Sequence, residues 1–172
     1  MGGGNPALCH KNNLMVKSKR MGLTVFLFYD IIIYMIKERS SSMRLWHTDM
    51  IPVLPREQLV AQWRECSAIA GSIQKNGTPN HVLVNFVLDY DYDHFISYCA
   101  EVRQEMTKRG YRTMDKVWDK IVGLKINYSM IDIPYPEIMN EEYYTICYYN
   151  LYEKHIRGGI SQEDWNKISQ RS

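Results

Sequence analysis

The sequence predicts an all-α protein, with one compact helical domain at residues 43–172 behind an N-terminal extension at residues 1–42. Three observations support this fold class. After Met43, apolar residues recur at steps of three and four, the spacing of a helix that packs on a core. Glycine follows several of these runs, as is common just after a helix C-terminus. A chain of 172 residues with 45% hydrophobic content also has the size of one domain.

The extension contains an apolar stretch, residues 21–36, that follows a basic run. As a helix this stretch would rise about 24 Å, less than the roughly 30 Å hydrocarbon core of a membrane, and Asp30 lies in its middle. No signal-peptide cleavage site follows it. In a bacterial or viral gene, codons for Arg39 and Ser40 can spell AGGAG, a ribosome-binding sequence shortly before the codon for Met43. A translated leader, a disordered or anchoring extension and an export signal all remain open.

The first predicted helix begins at Pro55, a residue suited to the first helical turn, and we expect it to end near Gly71. Its core face is marked by apolar residues at steps of four, three and three: Leu59, Trp63, Cys66 and Ile69. The following apolar segment, residues 79–90, fits a buried helix or a strand, and the neighbouring helices favour a helix.

The strongest helix signal lies in residues 91–111, which end with Lys108 and Arg109 in the last turn and Gly110 as the stop. Residues 111–136 predict only a short helix and irregular chain. Helical spacing returns at Asn140 and stops at residues 158–159. The apolar stripe of the strongest helix consists of Tyr92, Phe95, Ile96, Cys99 and Met106.

A last helix is predicted from Ser161, because Ser161 and Asp164 have the spacing of a capping box. The tyrosines of residues 141–154 have helical spacing, which is typical of core positions and also compatible with surfaces that stack on bases. The cations of residues 108–112 are typical of a helix C-terminus.

Charge and cysteine content restrict the function classes. Six of the 21 basic residues and two of the 19 acidic residues precede Met43, so residues 43–172 carry a formal net charge of −2. DNA binding therefore needs a local basic face rather than a general positive charge. The cysteines show neither a CxxC pair nor the spacing of a zinc site, which predicts reduced, mostly buried thiols in a cytoplasmic protein: Cys9, Cys66, Cys99 and Cys147.

From Met43, the run MRLWHTDMIPVLPREQLVAQWRECSAIAG resembles the pyrimidine-dimer DNA glycosylases of the phage endonuclease V type, and more closely their bacterial relatives. The segments QLVAQWRE, NHVLVNF, EMTKRGY and NLYEK carry the resemblance by their order and approximate spacing, from Met43 to about Gly159. The resemblance implies a compact helical enzyme that extrudes a damaged base and needs neither a metal nor a cofactor. Its nucleophile is the N-terminal α-amine, which forms an imine with the sugar.

The resemblance assigns roles residue by residue. Glu65 is the catalytic carboxylate, and the amine of Met43 is the nucleophile if the chain starts there. Arg44 lies 21 residues before Glu65, the family spacing of the amine, and Met43 lies 22 before it. At neutral pH, an α-amine with a pKa near 8 has a far larger unprotonated fraction than a lysine near 10.4, which suits it to attack. The implied DNA contacts are Arg44, Arg64, His81 and Lys154.

The resemblance implies a cytoplasmic monomer that acts on damaged double-stranded DNA without a metal or a membrane. Two departures from the family pattern are visible: Asn150 stands where the family has an arginine, and Met43 precedes the bulky Arg44 instead of a small residue. Two alternatives stay open. One is a relative that acts on another lesion, and the other is a catalytically inactive helical module that binds DNA or protein, with residues 21–36 as a possible membrane tether.

Overall fold

The computed structural model describes residues 43–79 and 81–170, so the predictions for residues 1–42 lie outside the described part. Within that part there are helices and no strand, which confirms the all-α prediction. Short 3₁₀ helices span Thr48–Val53 and Asn85–Leu88. The α-helices are α1 Arg56–Asn76, α2 Tyr92–Lys108, α3 Asp115–Val122, α4 Glu141–Ile156 and α5 Gln162–Ser169.

Helix α1 buries the predicted apolar stripe, but its predicted end near Gly71 is wrong. The helix continues to Asn76 and ends at Gly77, whose φ of 71° favours glycine. Gly71 serves packing instead, because a Cβ there would lie 2.5 Å from Lys120 Nζ. The missing side chain lets Lys120 of α3 reach across α1 and donate to the carbonyl of Ser67 at 2.7 Å.

The predicted helix over residues 79–90 is also wrong, because this segment forms a turn followed by the 3₁₀ helix Asn85–Leu88. His81 accepts the N–H of Leu83 on Nδ1 at 3.3 Å, and the N–H of His81 donates to Asn85 Oδ1 at 3.2 Å. Polar side chains thus bind the backbone locally, which competes with an α-helix even in an apolar sequence.

Helix α2 matches its prediction, with Gly110 at φ 73° just after its end. Arg109 has a structural role at this end. Its guanidinium pairs with Glu105 at 2.7 Å and donates to the carbonyls of Leu54 and Pro52 at 2.6 and 2.8 Å. Arg109 therefore joins the end of the first 3₁₀ helix to α2 and is committed to intramolecular contacts.

The irregular chain between α3 and α4 is anchored on α2. The N–H groups of Ser129, Ile131 and Tyr135 donate to side chains of α2 at 2.8–3.1 Å. Helix α5 begins with the predicted cap, because Ser161 Oγ accepts the N–H of Asp164 at 3.1 Å. Among the described residues, no helix is long and apolar enough to cross a membrane.

Candidate functional site

The site is built around an extended segment, residues 44–47, that is almost completely buried before the first 3₁₀ helix. This segment pairs with side chains instead of a neighbouring strand. The N–H of Trp46 donates to Gln62 Oε1 of α1 at 3.1 Å. The Tyr98 hydroxyl of α2 donates to the carbonyl of Trp46 at 2.8 Å. Buried backbone polar groups require such partners, so these side chains hold the segment in place.

Two further hydrogen bonds fix the start of the segment. The Tyr143 hydroxyl of α4 donates to the carbonyl of Leu45. The backbone N–H of Arg44 donates to Glu65 Oε2 of α1 at 3.4 Å, across a separation of 21 residues. Three helices, α1, α2 and α4, therefore position this stretch of backbone, and they place a main-chain nitrogen beside the Glu65 carboxylate.

The Glu65 carboxyl has a perturbed pKa. Burial raises it, while the Arg44 N–H and the positive charges of Arg44 and Lys154 oppose the rise without cancelling it. A carboxylate in this environment holds a proton more readily than one in water, and it lies next to cationic groups that favour its ionised form. A carboxyl group whose pKa lies above its ordinary value is a candidate for general acid–base chemistry.

Two buried ionisable side chains that contact the segment, Cys147 and Tyr143, are candidates for an alternative nucleophile. Burial raises the pKa of the Cys147 thiol to about 11. Burial also raises the pKa of the Tyr143 hydroxyl well above its usual range. Both side chains therefore stay protonated at neutral pH, so neither provides a ready anionic nucleophile. Within the described residues, no group of three or more His, Cys, Asp or Glu side chains is arranged to hold a metal ion.

The structure brings two of the predicted DNA contacts, Arg44 and Lys154, close to the predicted catalytic residue Glu65. Arg44 is only 7% exposed, with its guanidinium 5.2 Å from the centre of the Trp46 ring. Lys154 lies close enough for its charge to act on Glu65. Met43 is half-buried and packs against the core.

The other predicted DNA contacts are placed differently. Arg64 is exposed on α1, and its side chain points about 100° away from that of Glu65, because the two residues are adjacent on the helix. His81 lies in the turn before the second 3₁₀ helix, where its Nδ1 accepts the N–H of Leu83.

Asn150 is 4% exposed and donates back to the carbonyl of Ile146 at 2.6 Å. The position that carries an arginine in the family pattern therefore holds a side chain bound to its own helix.

Sequence reasoning missed Tyr143 and Gln62. Gln62 lies one helical turn before Glu65, so the i, i+3 spacing on α1 is the sequence signal that could have found it. Tyr143 is separated from its acceptor, Leu45, by 98 residues, and no local pattern singles it out among the tyrosines of α4.

A second carboxyl with a raised pKa lies on α2. Burial, and to a smaller extent the charge of Asp49, raises the pKa of Glu101 to about 7. The folded protein then binds this proton more tightly than the unfolded chain, so the free energy of unfolding falls as pH rises from the ordinary glutamate range to about 7.

We expect Glu101→Gln to flatten the loss of thermal stability between about pH 5 and pH 8, because it removes this titration. A series of melting temperatures across that range measures the effect. An unchanged pH slope in the variant would contradict the raised pKa of Glu101.

Comparison with protein families gives a match that starts at Met43. Residues 43–119 match the family described as pyrimidine dimer DNA glycosylase. This segment includes Arg44, Glu65 and α2, so the predicted family resemblance is confirmed over residues 43–119. The match ends within α3, before Lys154. Comparison with curated proteins and with solved structures gave no match.

Proposed function

We propose, from the match of residues 43–119 to the pyrimidine dimer DNA glycosylases, that residues 43–172 form a DNA repair glycosylase with associated AP-lyase activity. The observation that carries the proposal is the hydrogen bond between the Arg44 N–H and Glu65 Oε2. A main-chain nitrogen near residue 43 lies beside a carboxylate of raised pKa. That is the arrangement that an amine nucleophile and its acid–base partner require.

The proposed nucleophile is the α-amine of Met43 in a chain that starts there. Consecutive backbone nitrogens of an extended chain lie about 3.5 Å apart. Because the nitrogen of Arg44 contacts Glu65, the nitrogen of Met43 is one peptide unit away from that contact. To lie beside the carboxylate, the Met43 amine would have to move by about this distance, about 3.5 Å.

The proposed reaction proceeds in two stages. The unprotonated amine attacks C1′ of the nucleotide, and the new C–N bond forms as the bond to the damaged base breaks. A proton reaches the departing base, and opening of the sugar ring yields an imine between the amine and C1′. Removal of a proton from C2′ then expels the 3′ phosphate and cuts the strand. Glu65 is the proposed carrier of these protons.

The proposed DNA contacts are Arg64 and Lys154 to phosphates, His81 to the backbone, and Arg44 within the site. Arg64 and Lys154 lie on two different helices, α1 and α4. Because Arg44 is almost fully buried beside Trp46, its contact would form only with a nucleotide drawn into the site. Extrusion of the damaged base would provide that approach.

The experiment that tests this function uses a protein starting at Met43 and duplex DNA in three forms: undamaged, ultraviolet-irradiated and abasic. Borohydride reduces an imine and makes the link permanent. We expect covalent linkage and strand cleavage with the irradiated and abasic forms, and neither with undamaged duplex. Linkage to abasic DNA alone would support the lyase step and reject the pyrimidine dimer as substrate. No linkage to any form would overturn the proposal.

We expect Lys154→Met to weaken binding to abasic duplex several-fold at all sequences and to lower the salt slope of binding by about 1, because one phosphate contact is lost. Fluorescence anisotropy at several salt concentrations measures both quantities. The matched control is Lys167→Met, because Lys167 pairs with Glu163 on α5. Equal effects of the two substitutions would reject a specific role for Lys154.

A second candidate is a catalytically inactive DNA- or protein-binding module of the same fold, with residues 21–36 as a membrane tether. One observation favours it: in a chain that continues upstream of Met43, the nitrogen of Arg44 and that of Met43 are both amides. An amide has no available lone pair and cannot form an imine. The covalent trap separates the two candidates, because the inactive module would bind DNA without linking to it.

The proposal also places the enzyme in the cytoplasm, as a monomer. Cys66, Cys99 and Cys147 are buried and free, as thiols are in a reducing compartment.

A further inference from the structure

Tyr143 and Gln62 both bind the extended segment, from helices on different sides of it. Gln62, on α1, accepts the N–H of Trp46, and Tyr143, on α4, donates to the carbonyl of Leu45. The two hydrogen bonds flank the Leu45–Trp46 peptide, whose position they fix. Two residues before Trp46, the N–H of Arg44 also donates to a side chain of α1, that of Glu65.

The pairing with α1 has a defined register. Gln62 and Glu65 lie three residues apart on one side of the helix and bind N–H groups that lie two residues apart in an extended chain. A slip of one residue would move the chain by about 3.3 Å and turn its N–H groups to the opposite side. Glu65 would then lose its main-chain nitrogen.

We propose that Tyr143 is a positioning residue that, together with Gln62, sets the register of residues 43–47 on α1 and so decides which main-chain nitrogen faces Glu65. This inference rests on the proposed function for its catalytic meaning. Tyr143 acts through Leu45 and touches no reacting atom. Because burial keeps its hydroxyl protonated, it remains a hydrogen-bond donor across the pH range in which an α-amine reacts.

The test compares Tyr143→Phe with the control Tyr144→Phe in the protein that starts at Met43. Tyr144 is the next residue on α4 and is also half-buried, with its ring edge-on to His47 at 5.3 Å. Both substitutions remove one hydroxyl and keep the ring. Only the first removes the hydrogen bond to the carbonyl of Leu45.

We expect Tyr143→Phe to slow single-turnover borohydride trapping on abasic duplex about tenfold or more, because a misplaced reacting group is costly. Binding of the same duplex should change less than about twofold. In the parent protein, the hydrogen bond from the Arg44 N–H lowers the pKa of Glu65. Loss of this bond should raise that pKa and move the acid limb of the pH–rate profile to higher pH. Tyr144→Phe should change none of these quantities. Trapping at the parent rate with the parent pH profile would overturn the proposal.

A readout that needs no activity separates failure of this inference from failure of the proposed function. The pKa of Glu65 can be followed by NMR on carboxyl-labelled glutamate in the parent and both variants. An upward shift in Tyr143→Phe alone supports the register role, even if the parent protein links to no DNA. No shift rejects it. If Tyr143→Phe does not fold, Gln62→Met tests the same register from α1, with the same expected direction.

Discussion

A protein that starts at Met43 is expected to become linked to abasic duplex under borohydride at least a hundredfold faster than the chain that starts at Met1. The reason is the identity of the nitrogen beside Glu65. In the longer chain, the main-chain nitrogens of Met43 and Arg44 are amides, and the free α-amine lies 42 residues earlier in the sequence. An ordinary lysine, with a pKa near 10.4, does not replace an α-amine with a pKa near 8, because much less of it is unprotonated at neutral pH.

The position of the amine can be tested more finely with a third protein that starts at Arg44, produced by exact removal of a cleavable fusion partner. Its free amine would occupy the place where the structure has the Arg44 nitrogen, 3.4 Å from Glu65 Oε2. We expect it to link faster than the protein that starts at Met43, because it needs no shift of the first residue. Blocking the amine by reductive methylation at low pH should abolish linkage in both. Equal linkage by all three proteins would show that another amine reacts.

Glu65→Gln is expected to lower the rate of strand cleavage on abasic duplex by about 10² to 10⁴, the range that a positioned acid–base group contributes. Glutamine can still accept the N–H of Arg44, so the segment keeps its anchor while the proton carrier is lost. Because burial raises the pKa of Glu65, the neutral side chain is also favoured in the folded state, and we expect the melting temperature at neutral pH to stay equal or rise.

The control is Glu57→Gln, in the first turn of the same helix, where the carboxylate is exposed. This variant should cut abasic DNA at the parent rate. A Glu65→Gln protein that cleaves as fast as the parent would remove Glu65 from the mechanism, and a large loss of stability would show that its role is structural.

Local signals predicted the elements that local physics controls. The Ser161 cap and the end of α2 at Gly110 followed from side chains and glycine near the helix termini. The end of α1 carries the same signal at Gly77, but the prediction placed it at the earlier Gly71, which stays helical and lets Lys120 pass. That contact comes from a helix that begins 44 residues further along the chain, at Asp115.

The candidate site also has a part that the sequence predicted and a part that depends on tertiary contacts. The family resemblance, in which the amine lies 21 residues before its glutamate, implied that the start of this segment lies near Glu65. In the structure the Arg44 nitrogen lies 3.4 Å from Glu65 Oε2. The lining from α4 could not be deduced, since it depends on how α4 packs on the extended segment. Of the tyrosines in α4, only tertiary contacts distinguish Tyr143, which bonds to Leu45, from Tyr144, which packs on His47.

The hydrogen bonds of the extended segment also set an order of events during synthesis. They join Trp46 to Gln62 and Tyr98, and Leu45 to Tyr143, across separations of 16, 52 and 98 residues. A nascent chain has Glu65 long before it has Tyr143, so the register of its first residues is completed only when α4 has left the ribosome and packed. If the proposed mechanism holds, the amine end of an unfinished chain is not yet aligned with Glu65, and we expect reactivity toward DNA only once the fold is complete.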